Sequence, residues 1–353
     1  MRFAWIFIFA FFFISCEKRQ IEPQSRNVLG TLCTINLYED GSKNLYDRIF
    51  HRLEEIDDIF NPYKDDSEIV RVNKNAQNCE IEVNAEFAHV LQAALLVCEA
   101  SEGAFNPALG KTIDLWGINN KENLVPENGV PPKKNKIDEA IKTADWKKIT
   151  VWTNENKAFV SIPSGLKIDL CGIVKGYAAD SVASIVKKAN VKAALINLGG
   201  NVYVFGEKSD KSPWIVGIKD PENPDGEPAL SLTGVRNKAI VTSGIYERFY
   251  KHDGKIYHHI IDPKTGAPVQ NDTISVTVVC ASSMYADALA TAFLVEGAQN
   301  ALNSLETLSF LPEFRGENRP LLVAITEDGK AISSEELRGY VGVLLDDFSL
   351  EFR

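Results

Sequence analysis

An almost unbroken apolar run from Phe3 to Ile14 follows a single charge at Arg2, and the chain turns polar directly after Cys16, with Glu17, Lys18, Arg19 and Gln20. The run is too short to span a bilayer and reads as a secretory signal over residues 1–15. Phe13-Ile14-Ser15-Cys16 resembles a bacterial lipobox, with Phe where Leu is usual, so Cys16 is expected to become the lipidated first residue. Residues 16–27 read as that lipidated end and a flexible tether, and 28–353 as one domain held at a membrane surface. Within it, Val28–Leu37 alternates with strand period. Ser42 can cap a helix whose apolar positions are Leu45, Ile49, Leu53, Ile56 and Phe60, and a second helical stripe runs through Phe87, Val90, Leu91, Ala94, Leu95 and Cys98. Val160–Ile162 and Leu166–Leu170 read as strands around a Pro163-Ser164-Gly165 turn, leading through Gly172 and Gly176 into an amphipathic helix from Tyr177. Asp253-Gly254 is a two-residue hairpin signal that pairs His252 with Lys255, Tyr250 with Tyr257, and Arg248 with His259. The stretch 119–136, rich in Asn, Pro, Lys and Glu, reads as an excursion. Short strands and helices interleave without repeats, which predicts a mixed α+β fold.

Charged residues at 24% and apolar ones at 45% are ordinary for a globular protein. The net charge of −10 argues against nucleic acid and against a polybasic membrane patch. An anionic substrate would therefore need local neutralisation by a metal ion or a few placed cations. Five cysteines besides Cys16 form no CxxC pattern, which argues against a zinc site or a disulfide framework and leaves one bridge open.

Five segments bear on chemistry, and the first four have a bland alternative. In KIDLCGIVKGYAAD (167–180), Gly172 and Gly176 allow close backbone approach and Lys175 adds a cation, which suits a phosphate; a tight turn with a solvated lysine is the alternative. AALINLGGNVYVFG (193–206) joins two strands through Gly199-Gly200, with Asn197 and Asn201 flanking, and would admit a flat ring or serve as a plain turn. In TSGIYERFYKHDGKIYHHIIDPKTGAP (242–268), Arg248 and His259 fall on one face of the hairpin while His258 points away; they would hold an anion or move a proton, or form a solvated pair. TISVTVVCASSMYADALATAF (273–293) places Asp287 and Thr291 on one helical face among small residues. A carboxylate and a hydroxyl are hard oxygen donors suited to Mg²⁺, although a first-turn acid also complements its own helix N-terminus. GAFNPALGKTIDLWG (103–117) sets Phe105 and Trp116 in a loop of small residues, a faint sign of a flat ligand.

In this order the segments FNPYKDDSE, GAFNPALG with LWG, IDLCGIVKGYAAD, INLGGN, TSGIYER, HHIIDPKTG and YADALATA resemble the ApbE family, the FAD:protein FMN transferases. The resemblance runs from about Gly30 to the end of the chain. It implies one compact, T-fold-related catalytic unit that binds FAD and Mg²⁺, cleaves the pyrophosphate and attaches FMN through a phosphoester to a Thr or Ser hydroxyl of a partner protein, releasing AMP. Carried over by residue, it implies Asp287, Thr291 and the Gly172 carbonyl as metal ligands, and Tyr63 as the aromatic covering the isoalloxazine. Lys175, Gly199, Gly200, Asn201, Ser243 and Gly244 would lie along the flavin nucleotide. His259 would deprotonate the acceptor hydroxyl, and Mg²⁺ with Lys175 or Arg248 would stabilise the growing negative charge. Cys171, Val174 and Ile245 depart from the family pattern, where Gly, Ala and a polar residue are usual. Family acceptors are membrane-associated redox subunits, such as those of sodium-pumping NADH:quinone oxidoreductases, which suits a lipid-anchored enzyme on the periplasmic side of a bacterial membrane. Hydrolysis of FAD to FMN and AMP, and a non-catalytic flavin-binding lipoprotein, are the alternatives.

Overall fold

The computed structural model describes residues 22–38, 41–118 and 130–353. The signal, the lipobox and Cys16 lie outside them, as does 119–129 of the expected excursion. Nine strands lie side by side in chain order: Gln24–Val28, Thr31–Leu37, Ala193–Leu198, Asn201–Gly206, Lys238–Gly244, Thr273–Cys280, Leu321–Thr326, Lys330–Ser333 and Ser349–Phe352. Neighbours are antiparallel except the last pair, which is parallel.

Helices α1 (Lys43–Phe60), α2 (Glu68–Asn75), α3 (Ala85–Ala100), α4 (Gly110–Trp116), α5 (Lys134–Ile141), α6 (Cys171–Lys188), α7 (Ser283–Glu296) and α8 (Ala298–Leu308) complete the α+β fold with two small three-stranded sheets and a separate hairpin. Period-two alternation in the central strands serves both faces of the main sheet. Val241, Val276 and Val278 pack with Ile49, Leu53, Leu91, Val182 and Phe293 of the helices, whereas Ile240, Val279 and Val323 pack with Val216, Leu230 and Leu232 of the sheet Val341–Leu344, Leu230–Thr233, Ile215–Ile218. The main sheet is thus sandwiched between helices and a small sheet, and its middle strands are apolar on both sides.

Ser42 caps α1 as expected, its Oγ accepting from the Leu45 amide at 3.1 Å. Three expectations change. The strand read from Val28 is a hairpin: Leu29 and Gly30 take positive φ, and Gln24–Val28, whose first four residues read as tether, forms an edge strand against Thr31–Leu37. Gly110–Trp116 is helical where 103–117 reads as loop, and Lys134 opens α5 inside the supposed excursion. Finally, Leu166–Leu170 is not a strand; Lys167 makes a lone bridge to Leu109, and α6 begins at Cys171, so Gly172 and Gly176 sit within its first turns. Among the described residues, Cys79, Cys98, Cys171 and Cys280 form no disulfide bridge.

Gly176 has a packing reason. A Cβ there would lie 2.2 Å from the Ser283 carbonyl oxygen and 2.7 Å from the Met284 Cα, so α6 and the start of α7 meet backbone to backbone. We expect Gly176→Ala to destabilise the fold by about 1–3 kcal/mol through overpacking. Urea unfolding tests this; an unchanged midpoint would mean that the helices separate freely.

Candidate active site

The close crossing of α6 and α7 builds the first half of the site. Asp287 lies on the second turn of α7 and is buried, and its Oδ2 accepts the Gly176 amide at 2.9 Å. It therefore does not complement its own helix N-terminus; a buried carboxylate needs partners, and this one takes them from α6. Lys175 Nζ stands 3.8 Å from Asp287 Oδ1. One turn further along, Thr291 Oγ1 lies 3.3 Å from Ser243 Oγ at the end of strand Lys238–Gly244. A Cβ on Gly172 would lie 3.5 Å from Thr291 Oγ1 and 3.1 Å from the Phe105 ring. Asp287, Thr291, Ser243, Gly172 and Lys175 thus converge from three segments far apart in sequence.

The hairpin supplies the second half. Asp253 and Gly254 both take positive φ, as a tight two-residue turn requires, and the register is the expected one: His252 faces Lys255 and Tyr250 faces Tyr257. Beyond the paired strands the Arg248 carbonyl accepts both the His259 amide at 3.1 Å and His259 Nδ1 at 3.3 Å. A carbonyl can only accept, so Nδ1 carries the proton and Nε2 keeps its lone pair. Desolvation, then the positive charge of Arg248, and further His258 and Lys175, push the His259 pKa down to about 3 against the pull of the Arg248 carbonyl. His258 is turned away and buried, with Nε2 3.0 Å from the Val269 carbonyl.

Aromatic stacking also holds the hairpin. Tyr250 stacks on Tyr257 and Tyr257 on Trp116, whose Nε1 donates to the Gly266 carbonyl at 2.7 Å. Asp262 holds the following turn by accepting the Lys264 amide and the Thr265 hydroxyl.

Tyr63, between α1 and α2, is 61% exposed. Partial desolvation of its hydroxyl, then the proximity of Cys171 and Asp169, raise its pKa, and Arg248 opposes them, which sets this tyrosine beside the same group of residues. Desolvation likewise holds the Cys171 thiol well above its ordinary value.

Residues 29–311 match the model of the ApbE family. The chain belongs to the ApbE family. It is 33% identical over 326 residues to the FAD:protein FMN transferase of Treponema pallidum, covering 86% of this chain and 85% of that one. Against the FAD:protein FMN transferase of Haemophilus influenzae the figures are 32% over 301 residues, 83% and 86%. Among solved structures, the ApbE protein of Thermotoga maritima superposes with a TM-score of 0.78 at 30% identity, over 90% of this chain and 98% of that one. The flavin transferase ApbE of Vibrio cholerae does so at 0.75 and 26%, over 90% and 98%.

In this ApbE chain the remaining expected positions are more dispersed. Gly199 and Gly200 form the exposed turn between the strands Ala193–Leu198 and Asn201–Gly206, where the Gly200 amide donates to Asn197 Oδ1. Asn201 is buried beneath α7, its Oδ1 accepting the Ser283 hydroxyl at 2.8 Å. Gly244 is small because the Tyr246 ring would lie 2.6 Å from a Cβ there. The Gly176 amide was missed as a partner of Asp287; the spacing of Gly172 and Gly176 signalled close approach but not that a second helix makes it.

The depressed His259 pKa has a definite sign. Its folded value lies below the 6.5 of an unperturbed histidine, so it leaves stability unchanged at higher pH and lowers it as pH falls from 6.5 towards 3. ¹H–¹⁵N spectra of the imidazoles should show the Nδ1–H tautomer for His259 and no titration between about pH 5 and 8 in the free protein. A midpoint near 6.5 would contradict the assigned environment.

Proposed function

We propose that this chain transfers FMN from FAD to a Thr or Ser hydroxyl of a partner protein, forming a phosphoester bond and releasing AMP. The observation that carries the reading is the meeting of Asp287, Thr291 and Lys175 where α6 crosses α7, with the Arg248–His259 pair near enough for Lys175 to act on the imidazole, in a chain that belongs to the ApbE family. The hydroxyl oxygen attacks the FMN-side phosphorus, the bond from that phosphorus to the AMP-side oxygen breaks, and the hydroxyl proton passes to His259 Nε2.

The neighbouring oxygens fit Mg²⁺. The Asp287 carboxylate, the Thr291 hydroxyl and the Gly172 carbonyl are hard donors, few in number, as Mg²⁺ prefers where substrate phosphates and water complete its shell. Bound there, Mg²⁺ would neutralise pyrophosphate charge and polarise the phosphoryl group. Lys175 and Arg248 add fixed positive charge for the same anion. Desolvation first, and then these two cations, keep His259 neutral in the free protein, and an arriving pyrophosphate offsets the cations, raising the basicity of Nε2 when the substrate is in place. Tyr63 offers an exposed ring on which the flavin would stack.

The apolar run 3–14 and Cys16 support a lipid-anchored protein on the periplasmic side of a bacterial membrane, with a subunit of a membrane redox complex as acceptor. Among the described residues no helix is long and apolar enough to cross a membrane.

The deciding experiment incubates the protein with FAD, Mg²⁺ and a flavin-accepting subunit of a sodium-pumping NADH:quinone oxidoreductase prepared without its flavin, and reads the intact mass of that subunit. The expected result is a gain of one FMN that a chelator prevents. Free FMN and AMP without acceptor labelling would instead indicate a hydrolase. Asp287→Ala should abolish metal-dependent turnover, and full activity in that variant would sink the assignment. His259→Ala should lower transfer by about 10²-fold or more while FAD binding stays within a few-fold; equal loss of both would make His259 a structural residue.

A further inference from the structure

We infer that Asp180 of α6 is a positioning residue for this transfer, fixing the register of α7 against α6 so that Asp287 and Thr291 present their oxygens in one arrangement. The inference rests on the reading of Asp287 as the carboxylate of the reacting site.

Asp180 Oδ1 accepts the Ser283 amide at 2.8 Å, and its Oδ2 accepts the Met284 amide and the Ser282 hydroxyl, both at 3.0 Å. Ser282 Oγ in turn accepts the Tyr285 amide. The first three amides of α7, which have no partner within their own helix, are thus satisfied by Asp180 and by a serine that Asp180 holds. Asp287 makes the converse contact, accepting the Gly176 amide of α6. Asp180 lies four residues after Gly176, and Asp287 four after Ser283, so the two carboxylates clamp adjacent turns of one helix crossing from opposite sides.

Packing alone would not set this geometry. The contact of Gly176 with Ser283 limits how near the helices come, but it does not stop one sliding along or turning about the other. Directional bonds from a carboxylate to two successive amides do. Ser283 Oγ, bound to Asn201 Oδ1, ties the same turn to the main sheet. Desolvation pushes the Asp180 carboxyl up to about 6 although the Met284 and Ser283 amides and the Ser282 hydroxyl pull it down. An ionised acid is therefore held here against a cost, and a neutral isostere should lose orientation more than stability.

The test uses the full-length protein with Asp180→Asn, Ser282→Ala and, in parallel, Asp287→Asn. Four quantities are read: kcat for FMN transfer to the redox subunit, Kd for FAD, melting temperature, and backbone hydrogen exchange. For Asp180→Asn we expect kcat to fall about 10- to 100-fold, with Kd for FAD within about threefold, as for a misplaced reacting group. The melting temperature should hold within about 5 °C, and exchange should quicken at residues 283–287 and at Gly176. Ser282→Ala should give a smaller loss of the same pattern, and it decides the matter if Asp180→Asn does not fold. A folded Asp180→Asn with kcat within about threefold of the parent overturns the inference, as does a kcat loss matched by equal loss of FAD affinity and of melting temperature. If Asp287→Asn is fully active, the site reading fails first. An inactive Asp287→Asn beside an active Asp180→Asn overturns only the role of Asp180.

Discussion

Where α6 crosses α7, a glycine lets two backbones touch and a carboxylate from each helix takes amides of the other. The rest of the site is hung on that crossing. α7 follows the buried strand Thr273–Cys280 and α6 enters from a loop bridged to α4, so the crossing welds the middle of the main sheet to the helical layer. A larger residue at Gly176 would have to displace backbone rather than the free end of a side chain, and the interior has no slack to take up that shift.

The site's electrostatics follow from how few charges are brought in. Against a net charge of −10 for the whole chain, the neighbourhood of His259 is positive, set by Arg248 and Lys175. Local sign therefore opposes global sign, as an acidic protein that handles a pyrophosphate requires. Burial and, after it, the same cations keep the imidazole neutral, so one arrangement both receives the anion and leaves a base with its lone pair free. The Nδ1 proton is committed to a carbonyl of the hairpin itself, which makes the tautomer a property of the backbone.

The parts legible in the sequence were those with local causes. The cap at Ser42 and the Asp253-Gly254 turn with its register both depend on residues within a few positions of one another. The misread parts have non-local causes. Leu166–Leu170 alternates like a strand, yet no neighbour offers a full ladder and Asp169 instead accepts the Cys171 amide at the start of α6. Gln24–Val28 is too polar to announce itself and is a strand only because Thr31–Leu37 is there to pair with it.

The sequence alone determined the mixed α+β class, the hairpin that brings Arg248 to His259, the shared face of Asp287 and Thr291, and the family, because each rests on short-range spacing or on motifs in order. Tertiary structure alone decided that Gly176 serves a helix crossing, that Asp287 is held from α6, that Ser243 stands beside Thr291, and that Asp180 caps a helix other than its own. Those pairings span tens to more than a hundred residues. No local periodicity encodes which buried amide a carboxylate will find; that choice is made only when the sheet and helices have closed around it.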